Sequence, residues 1–293
     1  MRSPCRLAGA VLALTSLASC HNETPGDGGR PDGSSTAPRP ARIVSLAGHI
    51  TESLYALGLT EGEVVGAAGP VPDGIGPRPA DLGPSADPDL VALLAVRPDL
   101  VVMAPHPAVE AFLSGHGIRF EVVTTIDLLD PVHAIRRMGE IVGRVGRARA
   151  LENEILTRLV AIKDRLEEVD VVPIAVATSR HPALFVAGHP FLDAAIRYAK
   201  GENVLGGLVQ AYTRLEPEEL ARFGPRLLVD ASDALAGEPA MPEEVARWWA
   251  GRAPPSGGFR AVVMDSDALF SPGPRLAEGV ETLARALHPE AFR

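Results

Sequence analysis

The sequence contains few cysteines, and this limits how the chain can be stabilised. Its 293 residues include two, Cys5 and Cys20. Cys5 lies in an N-terminal segment that we interpret as a cleaved signal, so Cys20 would be left without a partner. An internal disulfide is therefore excluded, and the fold must rest on a hydrophobic core. With 46% hydrophobic residues, the chain is able to form one large or two medium domains.

Basic charge and aromatic side chains are also scarce. The formal net charge is −9, and it becomes −11 once Arg2 and Arg6 leave with a signal peptide. Nucleic-acid binding needs a basic face, so this function is not expected. Aromatic residues make up 4% of the chain, which is few for a pocket that stacks against a large ring. The composition thus favours a small chelate or a bare ion over haem or cobalamin.

No apolar run at the N-terminus is long enough to span a membrane. The run at residues 7–17 has eleven residues, whereas a spanning helix needs about 20. We therefore predict a signal peptide at residues 1–19. The sequence L-A-S-C that ends at Cys20 resembles the bacterial lipobox, which implies cleavage before Cys20 and its lipidation; the alternative is an ordinary signal with a chance cysteine. Residues 21–40 are rich in Gly, Pro and Ser and predict a disordered tether with a reach of about 25 Å.

Beyond the tether, short apolar runs alternate with segments of helical period. Runs rich in Val, Ile and Leu predict strands at 42–46, 63–67, 99–104 and 120–123, and again at 171–177, 183–187, 226–230 and 259–265. In the second block, helices are predicted at 190–199, 216–223, 241–250 and 275–287. Strands of the first block lack polar alternation, which is typical of parallel strands covered by helices on both faces.

Residues 148–169 separate the two blocks with one continuous helical pattern. Leu151, Ile155 and Leu159 mark an apolar stripe among charged residues, and neither Gly nor Pro interrupts it. A helix of this length spans about 30 Å and is a stiff connector. We therefore predict an N-terminal α/β lobe at residues 41–145, a connecting helix at 146–170 and a C-terminal α/β lobe at 171–293.

Five motifs in this order resemble the substrate-binding lipoproteins of ABC importers for iron complexes and cobalamin, the class III periplasmic binding proteins. They are R-I-V-S-L with T-E-S-L-Y-A-L-G-L (42–59), A-L-L-A-V-R-P-D-L-V-V (92–102), F-L-D-A-A-I-R-Y-A-K-G-E-N-V (191–204), L-E-P-E-E-L (215–220) and S-P-G-P-R-L-A-E-G-V-E-T-L-A-R-A-L-H-P-E (271–290). The resemblance implies an α/β fold of two Rossmann-like lobes joined by one long helix, with a ligand cleft between them. It also implies a monomer without a prosthetic group, located outside the cytoplasm in the periplasm or on the cell surface.

The same resemblance implies an ABC permease and its ATPase as partners. In this family a surface glutamate of each lobe docks on the permease, and Glu218 matches that position in the C-terminal lobe. The matching residue of the N-terminal lobe is Val91 rather than glutamate, so either Asp87 or Asp89 replaces it or docking is asymmetric. Glu216 and Glu219 flank Glu218, so an exposed carboxylate at a helix start is the alternative interpretation.

The candidate ligand-binding residues are four histidines and one tyrosine. His49, His106, His181 and His189 each follow a predicted strand, and neutral imidazole suits iron, zinc, copper and nickel. Ligands of open α/β sheets bind outside the carboxyl ends of the strands, so we expect these loops to face the cleft. The alternative is that they are polar loop residues or helix caps, especially in the H-P pairs. Tyr212 matches a cleft-lining aromatic of cobalamin-binding relatives; a core position is its alternative.

The expected function is capture of a metal chelate (cobalamin, haem or a ferric siderophore) for an ABC importer. Binding of a free transition-metal ion through the histidines is the alternative. An enzyme is not expected because the chain lacks the G-x-S-x-G, H-E-x-x-H and G-x-x-x-x-G-K-[ST] motifs and has no G-x-G-x-x-G after a strand. A metal-dependent hydrolase using Asp230, Asp233 and Asp265, or an adhesion or sensor lipoprotein on the same scaffold, are alternatives from other classes.

Overall fold

The computed structural model describes residues 39–71, 76, 78–238, 241–252, 259–264 and 266–293. The predicted signal peptide, the lipidation site Cys20, nearly all of the tether and Asp265 lie outside these residues. Within the described part of the chain, no helix combines the length and apolar character needed to cross a bilayer.

The N-terminal lobe is a parallel five-stranded sheet with helices, as its uninterrupted apolar runs predict. The strand order is β3-β2-β1-β4-β5, and every pairing is parallel. The strands are β1 Ile43–Ser45, β2 Val64–Ala67, β3 Ala80–Asp81, β4 Leu100–Met103 and β5 Phe120–Val122, and the helices are α1 Gly48–Ala56, α2 Leu90–Ala95, α3 Pro107–Gly115 and α4 Asp130–Ile141. All residues of β1 and β4 are buried, which accounts for their lack of polar alternation.

Helix α5, Val145–Arg165, connects the two lobes. Its buried residues are Ala148, Leu151, Ile155, Leu159 and Ile162, so the predicted apolar stripe is the one that packs. This stripe belongs to a single hydrophobic cluster that also includes residues of α1 and α4. Arg39–Arg293 accordingly form one compact unit, and the lobe boundaries at 145/146 and 170/171 stay a prediction.

The C-terminal lobe contains a second sheet, which is mixed rather than all parallel. Its main order is β11-β10-β6-β7-β9, and β8 pairs with the first half of β6. The strands are β6 Val172–Arg180, β7 Ala183–Val186, β8 Gly201–Asn203, β9 Tyr212–Arg214, β10 Leu227–Asp230 and β11 Arg260–Val263, and the helices are α6 Pro190–Tyr198, α7 Pro217–Leu220, α8 Ser232–Ala236, α9 Pro242–Ala250 and α10 Leu276–Leu287.

The hairpin between β6 and β7 is the reason for this mixed sheet. Only His181 and Pro182 separate the two strands, which pair antiparallel with Arg180 opposite Ala183. A two-residue connection closes a hairpin, whereas a parallel pair needs a crossover of about a dozen residues or more. Helices α6 and α10 then pack against the same hydrophobic cluster as α5, and the Tyr198 hydroxyl donates to the Leu159 carbonyl at 2.9 Å.

Candidate functional site

The start of α1 in the N-terminal lobe contacts residues 271–275 of the C-terminal lobe, and we call this contact the seam. His49 lies in it. Gly48 is required there because a β-carbon would collide with the Pro70 carbonyl oxygen. The His49 carbonyl accepts a hydrogen bond from Ser53 Oγ at 2.7 Å, and a β-carbon at Gly273 of the C-terminal lobe would lie 3.1 Å from the same carbonyl oxygen. His49 therefore lies against the segment that precedes α10.

Burial in this seam decides the ionisation of His49. Its Nε2 is inaccessible to solvent and has no hydrogen-bond partner among the described residues. Desolvation lowers the pKa of the imidazole from 6.5 to about 4. His49 is thus neutral at physiological pH, with a lone pair on one ring nitrogen for an acceptor role.

Beside His49, an ionic network crosses the seam. Glu52 of α1 accepts hydrogen bonds from Arg275 Nε at 2.5 Å and from Ser271 Oγ at 3.0 Å. Arg275 also donates to Asp267 at 2.7 Å. The hydrogen bonds to Asp267, followed by those to Glu52, raise the pKa of the guanidinium. Sequence reasoning missed this network: T-E and S-P-G-P-R were recognised as motifs, but nothing in the sequence indicates that they pair.

His106 is the N-cap of α3, and both of its ring nitrogens are used. Nδ1 accepts from the backbone N–H of Val109 at 3.4 Å, so the neutral ring carries its proton on Nε2, which lies 3.3 Å from the Ala86 carbonyl. His106 lines a cavity of about 300 Å³ with Leu46 and Met103, at the carboxyl ends of β1 and β4. His106 thus lies at the predicted sheet edge and also caps a helix, and its role in ligand binding stays a prediction.

His189 and Tyr212 are brought together in the C-terminal lobe. Their rings meet edge to face with centroids 5.6 Å apart. His189 caps α6 through Nδ1, which accepts from Leu192 N–H at 3.4 Å. Burial lowers the pKa of His189 and raises that of Tyr212. The tyrosine is not a core residue, since it is 40% exposed.

The strand-direction argument fails for His189. It follows β7, which runs antiparallel to β6, so the carboxyl end of β7 is directed away from the carboxyl ends of β6, β10 and β11. The prediction placed His189 after a strand without assigning a direction to that strand. A role for His189 in binding stays a prediction, now supported by its neighbour Tyr212 rather than by strand direction.

His181 occupies the tip of the β6–β7 hairpin. The ring is exposed and meets the edge of Trp248 with centroids 5.2 Å apart. Beside it, Arg180 pairs with Asp233 and lies 3.7 Å from Asp230. The adjacent Trp249 is buried and donates from Nε1 to Asp230 at 2.6 Å. The two tryptophans therefore point in different directions, and of the two only Trp248 reaches the surface.

The described residues do not gather the candidate histidines at one point. No three His, Cys, Asp or Glu side chains among them converge closely enough to hold a metal ion. Asp230 and Asp233, considered for a hydrolytic site, are engaged by Arg180 and Trp249. Asp265, the third member of that set, lies outside the described residues.

The predicted docking residue Glu218 lies exposed in the first turn of α7. Its neighbours Glu216 and Glu219 form a reciprocal cap with the backbone, so these two carboxylates already have a structural role. On the N-terminal lobe, Val91 of α2 is 80% exposed, and Asp89 caps that helix by accepting from Val91 and Ala92 N–H at 2.9 Å each. Asp87 is exposed. Docking through Glu218 stays a prediction.

The sequence is similar over most of its length to two known binding proteins. No family model matches the chain. It is 23% identical over 248 residues to the vitamin B12-binding protein of Vibrio parahaemolyticus, covering 82% of this chain and 86% of the relative. It is 23% identical over 266 residues to an uncharacterized ABC transporter substrate-binding lipoprotein, YvrC, of Bacillus subtilis, covering 87% and 82%.

Among solved structures, the ligand-free periplasmic haem-binding protein RhuT of Roseiflexus sp. RS-1 superposes with a TM-score of 0.71. The match covers 85% of this chain and 98% of RhuT at 22% identity. The chain has the class III periplasmic binding-protein fold. The sequence resemblance is thereby confirmed at the level of the fold.

Proposed function

We propose that this protein is an extracytoplasmic solute-binding lipoprotein that captures a metal chelate between its lobes and delivers it to an ABC permease and its ATPase. The ligand classes are cobalamin, haem and ferric siderophores. The observation that carries the proposal is that the match to a haem-binding protein covers 85% of the chain, and therefore both lobes. The B12-binding and lipoprotein relatives also align over most of its length.

The chemistry of the candidate residues supports a chelate as the ligand. His106 and His189 keep a proton on Nε2 because Nδ1 caps a helix. The Nε2–H of His189 can donate a hydrogen bond to a carboxylate, carbonyl or phosphate of a ligand without giving up the cap, whereas Nε2 of His106 already lies 3.3 Å from the Ala86 carbonyl. Tyr212 adds a partly exposed ring and a hydroxyl beside His189. Binding of a chelate through its organic periphery fits these groups.

The proposed lipid anchor is the diacylated Cys20, and residues 21–40 would serve as the tether. The lipobox-like L-A-S-C and the composition of the following segment support this part of the proposal. A lipoprotein of this kind would work at the outer face of the cytoplasmic membrane or on the cell surface. It would act as a monomer, because each chain would supply both walls of the cleft.

Visible absorption after incubation with haem and with cobalamin, each followed by desalting, tests the proposal. A retained and shifted haem band, or retained corrin absorbance, supports a tetrapyrrole ligand. Colourless protein in both cases excludes these two ligands, and calorimetry with ferric siderophores and with divalent metal ions follows. If ferric siderophores also fail to bind, the chelate proposal is wrong.

Alanine variants show whether a retained ligand occupies the predicted site. Tyr212→Ala and His189→Ala are expected to weaken retention by about tenfold or more each, comparable to the loss of one good polar or stacking contact. The matched control is His116→Ala, an exposed histidine at the end of α3 whose Nδ1 lies 2.8 Å from the Phe112 carbonyl. Unchanged affinity in both site variants would remove His189 and Tyr212 from the site.

A further inference from the structure

Three side chains connect the lobes beside His49. Glu52, in the N-terminal lobe, is 4% exposed. Both hydrogen bonds that it accepts among the described residues come from the C-terminal lobe, one from Ser271 and one from Arg275. We call these three residues the seam clamp.

The charges of the seam clamp oppose separation of the lobes. Arg275 lies between Glu52 of the other lobe and Asp267 of its own, with both carboxylates within hydrogen-bond distance. Moving the lobes apart leaves Arg275 with Asp267 but removes every described partner of Glu52. A buried carboxylate that loses its partners is costly until water reaches it. Opening therefore requires hydration of Glu52.

Backbone packing makes the seam tight at the same place. Gly273 stands between Ser271 and Arg275, and a β-carbon there would lie 3.1 Å from the His49 carbonyl oxygen and 3.4 Å from Ser53 Oγ. No side chain separates the two segments, and the imidazole Nε2 of His49 is sealed from solvent. The ionic contact and the backbone contact thus close the same seam.

We propose that the seam clamp restrains the lobes in the ligand-free protein, as a second connection in addition to α5. The connecting helix alone would allow the lobes to rock about its ends. With the clamp formed, α1 and the segment that precedes α10 are held at one separation. Breaking the clamp should broaden the range of lobe separations without unfolding either lobe. The inference concerns the free protein and does not depend on which ligand is bound.

Pulsed electron–electron double resonance on the full chain measures this range directly. Cys5 and Cys20 are replaced by serine, and spin labels are attached to Ala111→Cys on α3 and Ala246→Cys on α9, both exposed positions on different lobes. Glu52→Gln in this background keeps the side-chain size and removes the charge, while Arg275 retains Asp267. We expect the distribution of interlobe distances to become at least about twofold broader.

The matched control is Glu281→Gln. Glu281 of α10 also accepts from two arginines, Arg158 of α5 at 3.2 Å and Arg285 at 2.7 Å, but these bonds do not cross the seam. This variant should keep the native distribution. Ser271→Ala, which removes one hydrogen bond and no charge, should give intermediate broadening. Distributions equal to that of the native protein in both Glu52→Gln and Ser271→Ala would overturn the proposal.

Chemical modification of His49 gives a second readout at the seam itself. Diethyl pyrocarbonate acylates accessible neutral imidazoles, and mass spectrometry of peptides locates each modified histidine. His49 should be protected in the native chain and in Glu281→Gln, and should react at least about tenfold faster in Glu52→Gln. Exposed His116 serves as the internal standard in every sample. Equal protection of His49 in all variants would show that Glu52 does not hold the seam closed.

Discussion

Acidification should destabilise the protein through His49, and the size of the effect follows from its burial. The pKa of this imidazole is about 4 in the folded protein and 6.5 when exposed. Above pH 6.5 the His49 imidazole is neutral in both the folded and the unfolded state, and its contribution to stability is fully present. Between the two values the unfolded chain takes up a proton that the folded protein excludes. Stability is therefore lost as the pH falls through 6.5 towards about 4, and the loss levels off below the folded value.

The complete loss amounts to about 3 kcal/mol, because one pKa unit corresponds to about 1.4 kcal/mol. At about pH 5 about 2 kcal/mol of it has developed. The other charged groups on the two segments of the seam are Glu52, Asp267 and Arg275, which are paired with one another. Burial is the cause of the shift, so salt should change it little.

Urea unfolding of the native chain and of His49→Gln, at several pH values from about 4 to 8, measures the contribution of His49 to the unfolding free energy. The amide keeps much of the side-chain volume and does not titrate. Other histidines, including His189, contribute equally to both proteins and cancel in the difference. The difference in unfolding free energy should change by about 2 kcal/mol between about pH 8 and pH 5. A difference that is constant within about 0.5 kcal/mol would refute a buried neutral His49.

Three further predictions concern the seam, the docking face and the anchor. Gly48→Ala should cost about 2 kcal/mol or more in unfolding free energy, because its β-carbon would strike the Pro70 carbonyl, whereas Gly115→Ala, which meets open space, should be neutral or stabilising by about 0.5 kcal/mol. Glu218→Gln should leave ligand retention unchanged and weaken stimulation of the reconstituted transporter ATPase by about tenfold, equivalent to about 1.4 kcal/mol; full stimulation would remove Glu218 from docking. Cys20→Ser should move the protein from the membrane to the soluble fraction of cells; unchanged membrane association would contradict lipidation at Cys20.

The sheets were predictable where strands are buried on both faces. Four buried residues form β10, and the apolar run predicted at 226–230 ends at the same Asp230. The short strands β3, β8 and β9 were missed because their sequences, A-D, G-E-N and Y-T-R, contain no apolar run. They exist because a neighbouring strand supplies backbone partners, as Val186 does for Tyr212. Local sequence does not encode such a pairing.

The sequence predicted where some candidate residues lie in the fold, but it did not predict which side chains contact each other. His106 lies at the expected sheet edge because a buried strand followed by a polar loop is a local signal. In the seam clamp, Ser271 and Arg275 lie 219 and 223 positions after Glu52 in the chain. Nothing in the sequence around these residues indicates that they pair. The β6–β7 reversal was readable in principle, since the five residues between the predicted strands at 171–177 and 183–187 are too few for a parallel crossover. That signal was not applied to His189, whose role in binding stays a prediction.

The helix caps restrict what kind of ligand the histidines can bind. A histidine whose Nδ1 accepts a backbone N–H carries its remaining proton on Nε2, so Nε2 donates a hydrogen bond and has no free lone pair for a metal. This applies to His106 and His189, each of which precedes the proline that begins its helix. Metal coordination through Nε2 would require the proton to move and the cap to break, which costs about 1 kcal/mol per helix. Both H-P pairs therefore disfavour a bare cation, and the Nε2–H of His189 suits a ligand that presents acceptor groups around its metal.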